Sequence, residues 1–287
     1  MSTDFQTVVR SIRDLPPMPA VATKVLELLG DPNVKYEKLG ETISADPAVS
    51  ARLLKVSNSA FYSMKREIKT LDHAIAIVGE RTLRSLVLAA SLEGMNKSYG
   101  LLEKMLWEDA IGCAIGCRIL ARKFNTADPE EAFLAGLFRH LGKIVMNYSD
   151  PDAYRALAEA AYSDGQSTSE LEGRFFPYAH TVVGAAVLDK WKFNRSLVMS
   201  TLHHEDLKID LEDEELDGEA LLRLTATVNL AGHVCMKLGI GQREPVEDLD
   251  VLSCPGAEVL QLNESDVDDA ISEVEGVFTE NRDYFLG

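Results

Sequence analysis

Apolar positions recur at three- and four-residue intervals along nearly the whole chain, and no series of runs alternates apolar with polar residues as half-buried strands do. The pattern predicts an all-α protein. After Leu15-Pro16-Pro17-Met18-Pro19, whose last proline suits a first helical turn, Val21, Val25, Leu28 and Leu29 form one stripe that Asp31-Pro32 closes. Tyr36, Leu39 and Ile43 mark a second short helix. Asp46-Pro47 then supplies a cap and a first-turn proline for a third, carrying Val49, Leu53, Leu54 and Val56 and ended by Ser57-Asn58-Ser59.

From Leu71 to Leu92 the period is again helical, with a break expected near Gly79. Residues 106–124 predict a long helix in which Gly112/Gly116 and Cys113/Cys117 repeat at four-residue spacing, a small-residue face that admits a close neighbour. Asp128-Pro129-Glu130-Glu131 opens the next helix, expected to contain AGLFRHLGK, and Ser149-Asp150-Pro151 separates it from one around Tyr154–Tyr162. A turn is expected at 165–169. Helices follow over His180–Trp191, Ser196–His204 and Ala220–Leu238, then a connector from Gly239 to Gly256 and a last helix over Asp266–Phe278, facing the core through Val267, Ile271, Val274 and Phe278. No internal repeat is visible. The expected division is a helical subdomain over 1–100, a helical core over 101–210, and an acidic loop with C-terminal helices over 211–287 that complete the core.

Length and composition fit this picture, since 287 residues with 46% hydrophobic content bury one large core or a core with a smaller subdomain. No apolar run approaches the roughly 20 residues of a membrane span, and no leader-like segment opens the chain, so a cytoplasmic location is expected. Four cysteines, two of them Cys113 and Cys117 inside an apolar helix, read as reduced and buried.

Charge narrows the partners. A net charge of −17 opposes broad nucleic-acid binding, which draws its affinity from Lys and Arg. It also opposes a helix-turn-helix reading of the short N-terminal helices, where Leu53-Leu54 look like core contacts. Residues 205–219 hold nine acids against Lys208 and predict a solvated loop. Residues 47–69 run the other way: Arg52, Lys55, Lys65, Arg66 and Lys69 stand against Glu67. Arg52, Lys55, Lys65 and Arg66 are therefore a candidate partner surface, with a merely solvated charged face as the alternative.

The ordered string LPPMP (15–19), DPAVSARLLKVSNSAFY (46–62), AIAIVGERTLRSLVL (74–88), AFLAGLFRHLGK (132–143) and HTVVGAAVLDKW (180–191) resembles the HDOD family, the bacterial HD-related output domain, over roughly residues 10–210. The resemblance implies an all-helical fold related to HD phosphohydrolases, used in bacterial signalling and generally without catalysis. In the hydrolases an early His, a His-Asp pair and a late Asp hold the metal. Alignment brings Asp109 to the early His, Arg139 and His140 to the pair, and Gly232, in VNLAGH, to the late Asp. All four differ. A guanidinium stays protonated and offers no lone pair, so Arg139 at a metal position repels the ion. It is expected to pair with Asp109, so that an ion pair fastens two helices where a metal would; the alternative leaves Arg139 in solvent.

His180, His203 and His204 lie in HTVVG and TLHHE, contexts similar to the extra histidines of HD-GYP phosphodiesterases, although no GYP follows. With His140 they form an alternative metal set, since imidazoles in mutual reach bind transition metals; hydrogen bonding between helices accounts for them equally well. His73 and His233 stand isolated. Neither a Gly-rich phosphate loop nor a nucleophile motif appears, and no cofactor is expected. A phosphate pocket around Arg139 and Lys143 without chemistry is a further possibility. The expectation is thus a non-catalytic signalling module that binds a protein or small ligand, its partner and oligomeric state open. The rival is a metal-dependent phosphohydrolase with a rearranged set of Asp109, His140, His180, His203 and His204.

Overall fold

The computed structural model describes residues 15–31, 33–59, 61, 68–95, 100–212 and 216–286. Among them every regular element is an α-helix: α1 (Ala20–Leu29), α2 (Tyr36–Ser44), α3 (Pro47–Ser57), α4 (Leu71–Glu93), α5 (Leu101–Phe124), α6 (Pro129–Phe138), α7 (Leu141–Ser149), α8 (Pro151–Asp164), α9 (Thr168–Phe175), α10 (His180–Lys190), α11 (Arg195–His203), α12 (Gly218–Leu238), α13 (Pro255–Val259) and α14 (Glu264–Leu286). No described helix is long and apolar enough to cross a membrane. Packing groups the chain into two units, Met1–Pro17 with Ser98–Ile271, and Met18–Lys97 with Ser272–Gly287. Residues 211–287 are thus shared between the units, and Leu15–Pro17 belong to the larger one.

In the smaller unit, Asp46 Oδ1 accepts from the amides of Ala48 and Val49 at 3.0 and 3.2 Å, with Pro47 at the first helical position, as the sequence signals. Leu53 is fully buried, a core contact and not a nucleic-acid-facing residue. The expected break in α4 is at Gly79, whose φ of 76° and ψ of 166° lie outside helical space and suit only glycine. Beyond it Ser85–Leu92 are buried on all sides.

The larger unit is built around α5, buried at almost every position from Asp109 to Ala121. It begins at Leu101, ahead of the expected start at 106. The small-residue face does admit a neighbour: a β-carbon on Gly136 of α6 would lie 2.6 Å from the Cys113 carbonyl oxygen and 2.7 Å from Cys117 Sγ. The same device joins α7 to α10, where a β-carbon on Gly142 would lie 1.9 Å from the His180 carbonyl oxygen. At the end of α10, Trp191 Nε1 donates to the Pro16 carbonyl at 3.0 Å and Lys190 Nζ to that of Leu15 at 2.6 Å, which ties down the start of LPPMP.

One departure matters for function. AGLFRHLGK does not lie in one helix; α6 ends at Phe138, and His140, at φ −107° and ψ 22°, turns the chain before α7. Successive residues of a straight helix point about 100° apart, so only one of Arg139 and His140 could have faced α5. The turn allows both to do so. Further on, α9 occupies sequence expected to open with a turn alone; it starts on a capping box in which Ser167 and Glu170 satisfy each other's amides. The short α13 follows Pro255, and α14 continues past Phe278 to Leu286. The described part of the acidic segment is irregular and mostly exposed between Glu205 and Glu212; Asp213, Glu214 and Glu215 lie outside the described residues.

Candidate functional site

Asp109 of α5 receives both residues of the turn. Its Oδ1 accepts from Arg139 Nη2 at 2.7 Å, and its Oδ2 lies 2.6 Å from His140 Nδ1. Arg139 Nη2 also lies 3.2 Å from that nitrogen. The shorter, charge-assisted contact assigns the proton: Nδ1–H donates to the carboxylate, leaving Nε2 with a free lone pair. Side chains of Arg139 and Asp109 are 7% and 5% exposed, so the pair is shielded from screening. Burial works against the Arg139 charge, but Asp109 together with the neighbouring Cys113, Cys235 and Cys117 outweighs it and raises the pKa above the ordinary arginine value. Gly232 of α12 faces the guanidinium, and Gly241, in the left-handed region at φ 71°, brings its backbone against Asp109.

The other imidazoles are held in the same sense. His180 is fully buried, and Glu172 of α9 binds it twice, accepting from its amide at 2.8 Å and from Nδ1 at 3.0 Å. His204 Nδ1 donates to the Thr201 carbonyl at 2.9 Å, while Asn229 Nδ2 of α12 donates to the His204 carbonyl at 2.9 Å. With each Nδ1 committed outward, the His180 and His204 Nε2 atoms are buried without a partner. The three rings meet edge to face, with centroids 5.0 to 5.5 Å apart. One ligand atom from each of His140, His180, His204 and Glu205 lies within 4.8 Å of the others. Burial, reinforced by the Arg139 or Lys143 charges, holds all three imidazoles well below their usual pKa, hence neutral at pH 7.

A cavity of about 800 Å³ opens onto this cluster; Arg139, His140, Lys143, His204, Glu205 and His233 are among its lining residues. Burial lowers the Lys143 pKa, opposed by Glu172, Glu205 and Asp109.

The expected residues separate into groups. Asp109, Arg139, His140 and Gly232 are brought together, and so are His140, His180 and His204. His203 is not with them: its Nδ1 pairs with Asp206 Oδ1 at 3.1 Å on the protein's outer face, and Glu205 takes the place expected of it. His233 bonds the Asn229 carbonyl at 2.8 Å and lines the cavity, although isolated in sequence. Arg52 is not free for a partner, because it pairs with Glu93 and donates to the Phe285 carbonyl within the smaller unit. Lys55 is exposed; Lys65 and Arg66 lie outside the described residues. Sequence reasoning missed Glu172, Glu205 and Asn229. Only the Glu following His203-His204 carried any signal, since Glu172 and Asn229 reach the cluster through packing alone.

Whether a metal fits depends on which position is asked. At Asp109, Arg139 and Gly232 it does not: a guanidinium has no lone pair, glycine offers no ligand, and both Asp109 oxygens are engaged. The histidine cluster, in contrast, presents neutral imidazoles and a carboxylate, the donors that borderline divalent ions take.

Comparison with known proteins gives a consistent placement. A family model described as the HDOD domain matches residues 15–207. An uncharacterised protein of Treponema pallidum is 24% identical over 202 residues, which span 70% of this chain and 39% of that protein's length. An HDOD domain protein of unknown function from Geobacter sulfurreducens superposes with a TM-score of 0.74 at 21% identity, covering 98% of this chain and 95% of the other. A Shewanella amazonensis protein provisionally named a phosphohydrolase gives 0.70 at 22% identity, with 99% and 98% covered. At such identities the likeness to solved structures speaks for the fold.

Proposed function

This chain belongs to the HDOD family, and from that premise we propose that it is a non-catalytic bacterial regulatory module that acts by binding a signalling protein or small ligand. The observation that carries the reading is the buried Asp109–Arg139 pair seated against Gly232, at the positions that the resemblance aligns with the metal ligands of the related hydrolases. The pair does the mechanical work of an ion, joining α5 to the α6–α7 turn, but it has no means of acidifying a water or polarising a phosphoryl oxygen. Four cysteines present as free, buried thiols suit a reducing, cytoplasmic setting.

For the partner surface, Lys55 with Lys65 and Arg66 is the candidate basic face of an otherwise acidic chain, with Arg52 withdrawn from it into the fold. The rival reading, a metal-dependent phosphohydrolase with rearranged ligands, draws on the histidine cluster.

The deciding experiment assays tag-free protein, supplied with manganese, iron(II) or zinc, against phosphomonoesters, linear phosphodiesters and cyclic dinucleotides. No turnover above background is expected, while crosslinking in the source cell recovers a defined partner. Turnover that scales with protein and disappears in His140→Ala would overturn the reading.

A further inference from the structure

The geometry points to a metal site beside the Asp109–Arg139 pair, in which the Nε2 atoms of His140, His180 and His204 and a carboxylate oxygen of Glu205 hold one divalent transition-metal ion. It deepens the reading above by naming the small ligand, and it rests on that reading only in treating the ion as a regulatory ligand and not a reagent.

The first argument is hydrogen-bond accounting. Every imidazole proton in the cluster is spent outward, on Asp109, Glu172 and the Thr201 carbonyl, so no ring N–H remains to satisfy a neighbouring ring's lone pair. Rings that merely packed together would be expected to bond one another. Instead the interior of the cluster is made only of acceptors, with the His180 and His204 Nε2 atoms buried and unpartnered. An electron-pair acceptor is the occupant that satisfies all of them at once.

The second argument is orientation. A ring that donates its other N–H to a carboxylate or carbonyl is fixed in tautomer and direction, as in metal sites supported from behind. The ligand atoms, within 4.8 Å of one another, need to close toward about 3.4 Å for bonds of about 2.1 Å; Glu205, half-exposed, accepts from Ser169 Oγ at 2.7 Å through the oxygen that lies 3.7 Å from His180 Nε2, a contact that holds it facing the cluster.

Charge and access agree. The carboxylates of Asp109, Glu172 and Glu205 offset the cations of Arg139 and Lys143 around the site, and an ion enters through the cavity that His140, His204 and Glu205 line. Three imidazoles with one carboxylate favour zinc, cobalt, iron or nickel over magnesium and calcium, which prefer all-oxygen sets.

Chelator-treated, tag-free full-length protein titrated with Zn²⁺ or Co²⁺ tests the site by calorimetry and, for Co²⁺, by its visible absorption. One ion per chain is expected, with a cobalt spectrum of low coordination number and no competition from excess Mg²⁺. Glu205→Gln, half-exposed and safe for folding, and His204→Gln weaken binding at least about tenfold; Glu172→Gln, which releases the ring behind the ion, weakens it about 10–100-fold. His203→Gln leaves it unchanged. Absence of binding in wild type, or affinity that ignores Glu205→Gln and His204→Gln but falls with His203→Gln, overturns the proposal. Turnover of a phosphodiester by the loaded protein would instead overturn the non-catalytic reading and leave the site standing.

Discussion

Gly232 and Arg139 share one volume: a β-carbon on Gly232 would lie 1.6 Å from Arg139 Nη1 and 2.9 Å from Cζ. The guanidinium occupies space that a side chain at 232 would need, so the two identities depend on each other. Gly232→Ala should cost about 1–3 kcal/mol by overpacking. In an Arg139→Ala background the same change should cost much less. Urea melts of the four proteins measure the coupling, and equal costs in both backgrounds would separate the two residues.

The ion pair itself predicts a non-additive cycle. Arg139→Ala leaves Asp109 buried without its cation, and Asp109→Ala strands a buried guanidinium and frees His140. Each should lose about 3–5 kcal/mol, and the double variant clearly less than the sum. Losses near 0–1 kcal/mol, as at an exposed pair, would show that water reaches the contact.

Acid should destabilise the ion-free protein earlier than its carboxylates alone account for. Burial depresses the folded pKa of His140, His180 and His204 well below 6.5, whereas in the unfolded chain they titrate near 6.5. Below that value the unfolded state binds protons that the folded state refuses. This contribution is therefore full above about pH 6.5 and falls as pH drops toward the folded values, by up to about 4 kcal/mol per pH unit for three imidazoles. Arg139 and Lys143 facing the rings strengthen the effect, and Asp109, Glu172 and Glu205 weaken it. Denaturant melts in chelator at pH 7.5, 6.5 and 5.5 read it, and constant stability over that range would mean the rings are already charged or exposed.

Gly142→Ala tests the scaffold behind the cluster. Its β-carbon would meet the His180 carbonyl oxygen at 1.9 Å, forcing α7 away from α10. A loss of about 1–3 kcal/mol is expected, together with weaker cobalt binding, because His140 and His180 sit on the two sides of that contact. Gly173→Ala, inside α9 where a β-carbon meets nothing within 4 Å, is the control: it should leave cobalt binding unchanged and raise stability by about 0.5–1 kcal/mol.

Much of this was legible in one dimension. Helical periodicity, the Asp-Pro helix starts and Gly79 fixed the all-helical class and most element positions, because caps, prolines and positive-φ glycines act within a few residues of themselves. The order of the motifs and the chemistry of a guanidinium were likewise enough to bring Asp109, Arg139, His140 and Gly232 into one neighbourhood.

What the sequence left open depends on long-range packing. The turn at His140, which lets adjacent residues reach one carboxylate, answers to Asp109, some thirty residues away. Glu172 sits in a helix of which the sequence signalled only the turn at 165–169, and Glu205 in a segment whose charge suggested only solvation. Which of two neighbouring histidines points inward was undecidable from TLHHE, since both residues are identical. Tertiary structure chose His204, because Asn229 and the Thr201 carbonyl hold it, and turned His203 to Asp206.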